Sequence, residues 1–265
     1  MRPVGSSRST PILDVRGLTK AFLIPSVQRT TVREHALALF RRRPVERLRV
    51  LDGVSFAVKR GETLGIMGRN GSGKSTLLKL LANIYQPDSG SIDVRAGITP
   101  ILELGVGWNP ELDAIDNILL IGSVMGLTLT ELRAATDEIL AFAELQRFAR
   151  LKLQHYSSGM ASRLAYAIAF KAVREILILD EIFAVGDAGF RARCEARYRE
   201  LRAAGHTVVL VSHSADMVND FCDRAILLEK GKIIAEGHPR AVSDEYLRLL
   251  GGAGATGTHE LAGVR

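Results

Sequence analysis

The stretch GRNGSGKS, from Gly68 to Ser75, constrains the fold of this chain more than any other. It fits the P-loop pattern, in which a glycine and four further residues precede Gly-Lys-Ser. The apolar run TLGIM before it predicts a short strand, and the apolar residues of LLKLLANI after it recur at helical spacing. Glycines let backbone N–H groups point inward around a phosphate, and the helix adds its positive dipole end. This strand–loop–helix therefore predicts a nucleoside triphosphate site.

Two side chains of the loop have defined tasks in such a site. Lys74 reaches the β- and γ-phosphates, and the hydroxyl of Ser75 holds Mg²⁺. The alternative is a glycine-rich turn without a ligand, which does not explain why the loop joins a strand to a helix. The residues predicted to bind the nucleotide here are Gly68, Arg69, Asn70, Gly71, Ser72, Gly73, Lys74, Ser75 and Thr76.

Two adjacent acids follow a second predicted strand. Ile176 to Leu179 form an unbroken apolar run, as expected of a parallel strand buried on both faces, and Asp180 and Glu181 come directly after it. At the carboxyl end of a strand beside the P-loop, Asp180 would orient Mg²⁺ and Glu181 would polarise the attacking water. A solvated turn is the alternative reading of this acidic pair.

Two weaker signals complete the set. The run TVVLVSHS ends near His213, which could hydrogen-bond a γ-phosphate or be a structural histidine. Ser157, Ser158 and Gly159 precede a helix-compatible run and could form a second anion site or a simple N-cap. The predicted helix in LTLTELRAATDEILAF has Thr130 as its expected N-cap.

In this order the motifs resemble the ATP-binding cassette (ABC) family over roughly residues 12 to 245. The resemblance implies an α/β P-loop fold with a RecA-like core, an antiparallel β subdomain and a helical subdomain at about 113–172. It implies ATP and Mg²⁺ as ligands, with Lys74, Glu181 and His213 catalytic. It also implies a head-to-tail pair of identical chains with two ATP molecules between them.

The same resemblance assigns further residues. Ser157, Ser158 and Gly159 belong to the segment that the family calls its signature, which binds the γ-phosphate held by the P-loop of the opposite subunit. The residues from Ala184 to Asp187 match the loop that links the two sites, and Asp187 is counted as nucleotide-binding. Phe22 stands where the family has an aromatic residue that stacks on adenine.

Departures from the common cassette pattern indicate which class of cassette this chain resembles. The signature reads YSSGM rather than LSGGQ, and the segment ILELGVGWNPELDAIDNI has no glutamine where the family usually meets its transport partner. Asn109 and Glu103 are the two candidate replacements. Both features resemble ATPase subunits that export bacterial O-antigen, teichoic acid and related glycans. This implies a membrane permease, a lipid-linked glycan and a peripheral position on the cytoplasmic face of the inner membrane.

An insertion from Leu23 to Arg49 separates the adenine aromatic from the P-loop strand. Val32, Ala36, Leu39 and Phe40 would share one helical face, and five arginines follow, at positions 41, 42, 43, 47 and 49. One reading is a solvated charged loop on a packed helix. The other is a surface near the inner leaflet that attracts anionic headgroups.

Composition sets the remaining bounds. The chain has a net charge of +6 and two cysteines, both expected to be buried or inert thiols. No apolar run is long enough to span a bilayer, and the start lacks the features of a secretory signal. We expect flexible tails at 1–11 and 251–265 around a single cassette at 12–250. Nucleic acid is not expected as a partner. There are three rival interpretations of the function: a DNA-repair or translation ATPase, a regulator that binds ATP without hydrolysing it, and an exporter of lipid or peptide.

Overall fold

A computed structural model describes residues 10–25, 45–102, 107–180 and 187–254 of the chain. The strands are β1 (Leu13–Pro25), β2 (Val45–Val58), β3 (Thr63–Met67), β4 (Ser89–Val94), β5 (Ile98–Ile101), β6 (Ile176–Asp180), β7 (Thr207–Val211), β8 (Arg224–Glu229) and β9 (Lys232–Gly237). The helices are α1 (Lys74–Leu81), α2 (Ala114–Val124), α3 (Leu129–Ala143), α4 (Ser158–Lys171), α5 (Ala188–Ala203), α6 (Ala215–Phe221) and α7 (Pro239–Gly254).

Six strands form the central sheet in the order β5-β6-β7-β3-β8-β9. All neighbouring pairs are parallel except β8 and β9. The unbroken apolar runs arise because the sheet is covered on both faces. Leu177 and Leu179 point into one core, and Ile176 and Ile178 point into the other. This confirms the predicted α/β P-loop fold.

A second sheet, in the order β2-β1-β4, is antiparallel. Its buried apolar residues share one of these cores with helix α1. β1 and β2 pair as far as Pro25 and Val45. The first and last residues of the insertion therefore belong to these two strands. The predicted helical face and Arg41, Arg42 and Arg43 lie outside the described residues.

Helices α2, α3 and α4 surround a third core of their own, which includes Ile118, Ile139 and Leu164. The N-cap of α3 is Thr128, so the expectation of Thr130 was wrong. Thr128 forms a reciprocal capping box with Glu131, which satisfies two backbone N–H groups at once and fixes the helix start two residues earlier. None of the helices in the described ranges combines the length and apolar character that a membrane span requires.

Both cysteines are buried, as expected. Cys194 lies on α5 within a core, and the sulfur of Cys222 packs against Gly65, where an added Cβ would lie 2.9 Å from it. Burial raises the pKa of each thiol to about 12.

We expect the native chain to be inert to a thiol reagent such as DTNB at pH 8. A pKa near 12 leaves roughly one thiol in ten thousand ionised at that pH, and the thiolate is the reactive form. Unfolding in guanidinium should release two reactive thiols per chain, measured by absorbance. Rapid labelling of the native chain would contradict the buried placement.

Candidate functional site

Three strands deliver the sequence motifs to one edge of the central sheet. In the parallel ladder Val211 of β7 pairs with Ile66 of β3 on one side and with Asp180 of β6 on the other. The P-loop therefore leaves β3 beside the carboxyl end of β6. His213, an exposed residue, follows β7 at the same edge. This is the edge at which open α/β sheets bind their ligands.

The P-loop curls between β3 and α1, and Gly73 is the N-cap of the helix. Its φ of 110° is a left-handed conformation that glycine adopts readily. Nζ of Lys74 donates to the carbonyl oxygens of Gly68 at 2.6 Å and Arg69 at 2.9 Å. These bonds hold the ammonium group within the curl of the loop.

The outer side of the P-loop is braced by two other segments. The backbone N–H of Gly231, in the β8–β9 turn, donates to the Ser72 carbonyl at 3.0 Å, and the N–H of Asp52 donates to Gly231 at 2.9 Å. An added Cβ on Gly73 would lie 2.9 Å from the Val50 carbonyl oxygen, which is too close. β2 and this turn thus fix the loop from outside.

An open cleft of about 630 Å³ lies along the loop. It brings the predicted Lys74, Ser75 and Asp180 together. The full lining is Leu48, Val50, Asn70, Gly71, Gly73, Lys74, Ser75, Thr76, Leu102 and Asp180. Sequence reasoning missed the three apolar residues of this lining, and only the alternation of Leu48 and Val50 along β2 hints that they share a face.

The cleft has donors and acceptors suited to a nucleotide and its cation. Ser72 belongs to the P-loop but does not line the cleft; its hydroxyl is buried and has no hydrogen-bond partner among the described residues. The hydroxyl of Ser75 and the carboxylate of Asp180 line one cleft, and oxygen ligands of this kind are what Mg²⁺ prefers.

Phe22 has a different environment. It pairs with Leu48 across β1 and β2, and its ring packs edge-to-face on Tyr85 at 5.6 Å between centroids. Nζ of Lys20 lies 5.6 Å from the centroid of the same ring. Phe22 therefore lies on the strand next to that of Leu48, which lines the cleft. Its ring, however, packs against Tyr85 in the α1–β4 connection.

The signature residues do not line the cleft of their own chain. Ser157 caps α4, and its Oγ accepts the N–H of Met160 at 3.2 Å. Ser157 and Ser158 are exposed, so the start of the helix lies at the surface of the chain. An added Cβ on Gly159 would meet nothing nearer than Oγ of Ser157 at 3.9 Å, so packing within the chain does not require glycine there.

Asp187 joins the signature helix to the segment after β6. Its Oδ1 accepts the N–H of Phe190 at 2.9 Å, which caps α5, and its Oδ2 lies 3.4 Å from the guanidinium of Arg163 on α4. Glu144 binds Arg163 at 3.0 Å and Arg193 at 2.5 Å. The backbone N–H of Phe190, followed by the Arg163 charge, keeps the pKa of Asp187 below its ordinary value.

Several predicted residues lie outside the described ranges. They are Glu103, Glu181 and the residues from Ala184 to 186. Of the two candidate replacements for the missing glutamine, only Asn109 is described. Its Oδ1 accepts the N–H of Glu111 at 3.0 Å, so the side chain serves a local turn.

Comparisons with known proteins agree with this geometry. The family model described as ABC transporter matches residues 51–184. The ABC transporter protein AbcA of Aeromonas salmonicida is 39% identical over 242 residues, which are 91% of this chain and 78% of that protein. The dimeric structure of the cassette MJ0796 bound to ADP and Pi has a TM-score of 0.68 and 24% identity, and covers 86% of this chain and 99% of that chain. That structural likeness shows the fold.

Two further relatives are longer than this chain. The O-antigen export system ATP-binding protein RfbB of Myxococcus xanthus is 42% identical over 76% of this chain and 46% of its own length. The teichoic acids export ATP-binding protein TagH of Bacillus anthracis is 37% identical over 80% of this chain and 38% of its own length. The chain thus spans less than half of each.

Substitution of Gly159 separates ligand contact from folding. We expect Gly159→Asp to hydrolyse ATP far more slowly, because a carboxylate would face the phosphate that this helix start is predicted to bind. The melting temperature should stay level or rise, since the position has room and an acid in the first helical turn contributes roughly 0.3–1 kcal/mol. Phosphate release and calorimetry measure the two effects. A parallel fall in both would mean that the glycine serves folding.

Proposed function

The chain belongs to the ABC transporter family, and from that premise we propose that it is the ATP-hydrolysing subunit of an exporter of a lipid-linked cell-surface polysaccharide. The observation that carries the polysaccharide assignment is the similarity to ATP-binding proteins named for O-antigen and teichoic acid export, at 42% and 37% identity. The segment LELGVGWNPEL supports the same class of substrate.

In this proposal the cleft takes the triphosphate of ATP. Lys74 places a positive charge beside the β- and γ-phosphates, and the N–H groups at the start of α1 add their partial charge. Ser75 and Asp180 would hold Mg²⁺, which neutralises charge on those phosphates when bound. Glu181 would orient the attacking water, and His213 would donate a hydrogen bond to the γ-phosphate.

A second copy of the chain would complete each site. Three observations support this arrangement: the exposed start of α4, the room above Gly159, and the absence of Ser157 to Gly159 from the described lining of the cleft. In a head-to-tail pair each signature would face the P-loop of the other chain. Asp187, tied to α4 through Arg163, would then help to join the two sites.

The helical subdomain would contact a membrane permease. Val124, at the end of α2, is 79% exposed, and Leu129, at the start of α3, is 52% exposed. Apolar side chains this open to water suit contact with another protein. We therefore place the chain on the cytoplasmic face of the bacterial inner membrane, bound through the permease, where closure of the pair around ATP drives export.

The composition of the native complex tests this function. We expect Glu181→Gln to trap ATP, and the chain to leave membranes in mild detergent together with a permease and a polyprenyl-linked glycan. Mass spectrometry identifies both components. Lys74→Ala is the matched control, because it loses the nucleotide contact and should form fewer closed pairs. Recovery with a permease that carries lipid or peptide would refute the glycan assignment, and recovery with nucleic acid or ribosomes would refute the transport role.

The insertion would lie near the inner leaflet and help to recognise the glycan headgroup. The two arginines of the insertion that the structure describes already have carboxylate partners: Arg47 lies 3.3 Å from Asp88, and Arg49 lies 2.9 Å from Asp52. The remaining cluster, Arg41 to Arg43, would therefore supply the charge for an anionic headgroup, on the order of 1 kcal/mol for each residue.

Alanine replacement of Arg41, Arg42 and Arg43 should lower glycan export and leave basal ATP hydrolysis unchanged, because the P-loop cleft is untouched. Surface glycan staining and phosphate release measure the two activities. The control variant replaces Arg95, Arg240 and Arg248, three exposed arginines outside the insertion, and removes the same net charge. Equal loss of export in both variants, or loss of ATP hydrolysis in the first, would contradict a headgroup role.

A further inference from the structure

Asn117 is a buried polar residue to which neither the sequence motifs nor the cleft assigns a task. It lies on α2, and its side chain is fully buried. Its Oδ1 accepts the N–H of Asn109 at 2.9 Å. The two hydrogens of its Nδ2 are shared among three carbonyl oxygens, those of Asn109 at 3.0 Å, Leu112 at 3.2 Å and Asp113 at 2.9 Å.

These bonds fix one turn, from Asn109 to Asp113, from the inside. A buried amide that uses both its donor and acceptor groups specifies one conformation, since any other would leave polar atoms without partners. Asp113 at the end of the turn also caps α2, and its Oδ1 accepts the N–H of Asp116 at 2.9 Å. The turn and the helix therefore form one rigid unit.

The same turn is bonded to the segment that leads into the signature. The N–H of Leu153 donates to Leu112 at 2.9 Å, and the N–H of Gln154 donates to Pro110 at 3.0 Å. Two side-chain pairs strengthen this contact: Lys152 with Glu111 at 3.1 Å and Arg150 with Asp113 at 3.2 Å. Only Tyr156 and His155 separate this anchored segment from Ser157.

We propose that Asn117 is a positioning residue for the signature: through the turn from Asn109 to Asp113 it holds Ser157 to Gly159 where the opposite subunit's nucleotide needs them. The inference rests on the proposed head-to-tail pair. Asn117 itself touches no nucleotide in this arrangement. It governs a site on the partner chain and leaves the P-loop of its own chain intact.

ATP hydrolysis by the purified chain tests whether Asn117 supports catalysis. Asn117→Ala should lower kcat by roughly tenfold to a hundredfold, the scale of a small misplacement of catalytic groups, with little change in the KM for ATP. Thr136→Ala is the matched control. It removes a buried hydroxyl bond to Leu132, 2.8 Å long, in the same subdomain without touching the turn, and kcat should stay within about twofold. An equal loss in both variants would overturn the proposal.

Pairs formed from two different variants test whether Asn117 acts on the nucleotide site of the partner chain. Asn117→Ala chains mixed with Lys74→Ala chains form pairs in which one site has both an intact P-loop and an intact signature. Such mixing should restore up to about a quarter of wild-type hydrolysis, because half of the pairs are mixed and half of their sites are intact. Lys74→Ala mixed with Gly159→Asp is the reference pair, since Gly159 belongs to the signature itself.

The outcomes separate the inference from its premise. Restoration in both mixtures supports the role of Asn117. Restoration only in the reference mixture would show that Asn117 acts on its own chain's site and would overturn the inference. No restoration in the reference mixture would overturn the head-to-tail arrangement and the inference with it. If Asn117→Ala has no thermal transition, Asn117→Ser replaces it, and unfolding of both variants would make the residue a folding requirement and overturn the positioning role.

Discussion

Val211 lies between Ile66 and Asp180 in the parallel ladder, and the whole cleft depends on that alignment. It sets the P-loop, the Mg²⁺-binding candidates and His213 at a single sheet edge. A shift of one residue in β6 would exchange Leu177 and Leu179 with Ile176 and Ile178 between the two cores and turn Asp180 away. Burial on both faces resists such a shift, so the packing of the sheet and the geometry of the site are maintained by the same contacts.

The P-loop helix and the signature helix pack against different cores. Helix α1 lies on the core beneath the antiparallel sheet, whereas the signature helix α4 is shared between the core of the helical subdomain and the core on the other face of the central sheet. Apolar contacts join the helical subdomain to the rest of the chain, because the rings of Phe142 and Tyr166 lie 5.8 Å and 6.3 Å from that of Phe190 on α5. Polar contacts add to them: Arg163 with Asp187, and Arg174 with the Gly126 carbonyl at 3.4 Å. The signature helix is therefore held both by the helical subdomain and by the central sheet.

The P-loop, the two-sided strands and the buried cysteines could be predicted from the sequence because each depends on local chemistry or on composition. Leu48, Val50 and Leu102 could not, because they reach the cleft only through the packing of β2 and the end of β5 along the P-loop. The start of α3 was misplaced by two residues because Thr128 and Thr130 are both acceptable caps, and only Thr128 stands three residues before Glu131. Asn117 carries no motif, and its importance comes from side-chain hydrogen bonds that exist only in the folded chain.

The bracing of the P-loop by Gly231 and Val50 has a consequence for how nucleotide binds. Ordering a free loop costs roughly 1–2 kcal/mol of backbone entropy per residue, and here that loss occurs when the β8–β9 turn docks during folding. Binding of the nucleotide then adds little further order to the loop. We expect the nucleotide to bind a preformed loop. Its affinity should then depend on the charges of the phosphates more than on any rearrangement of the protein.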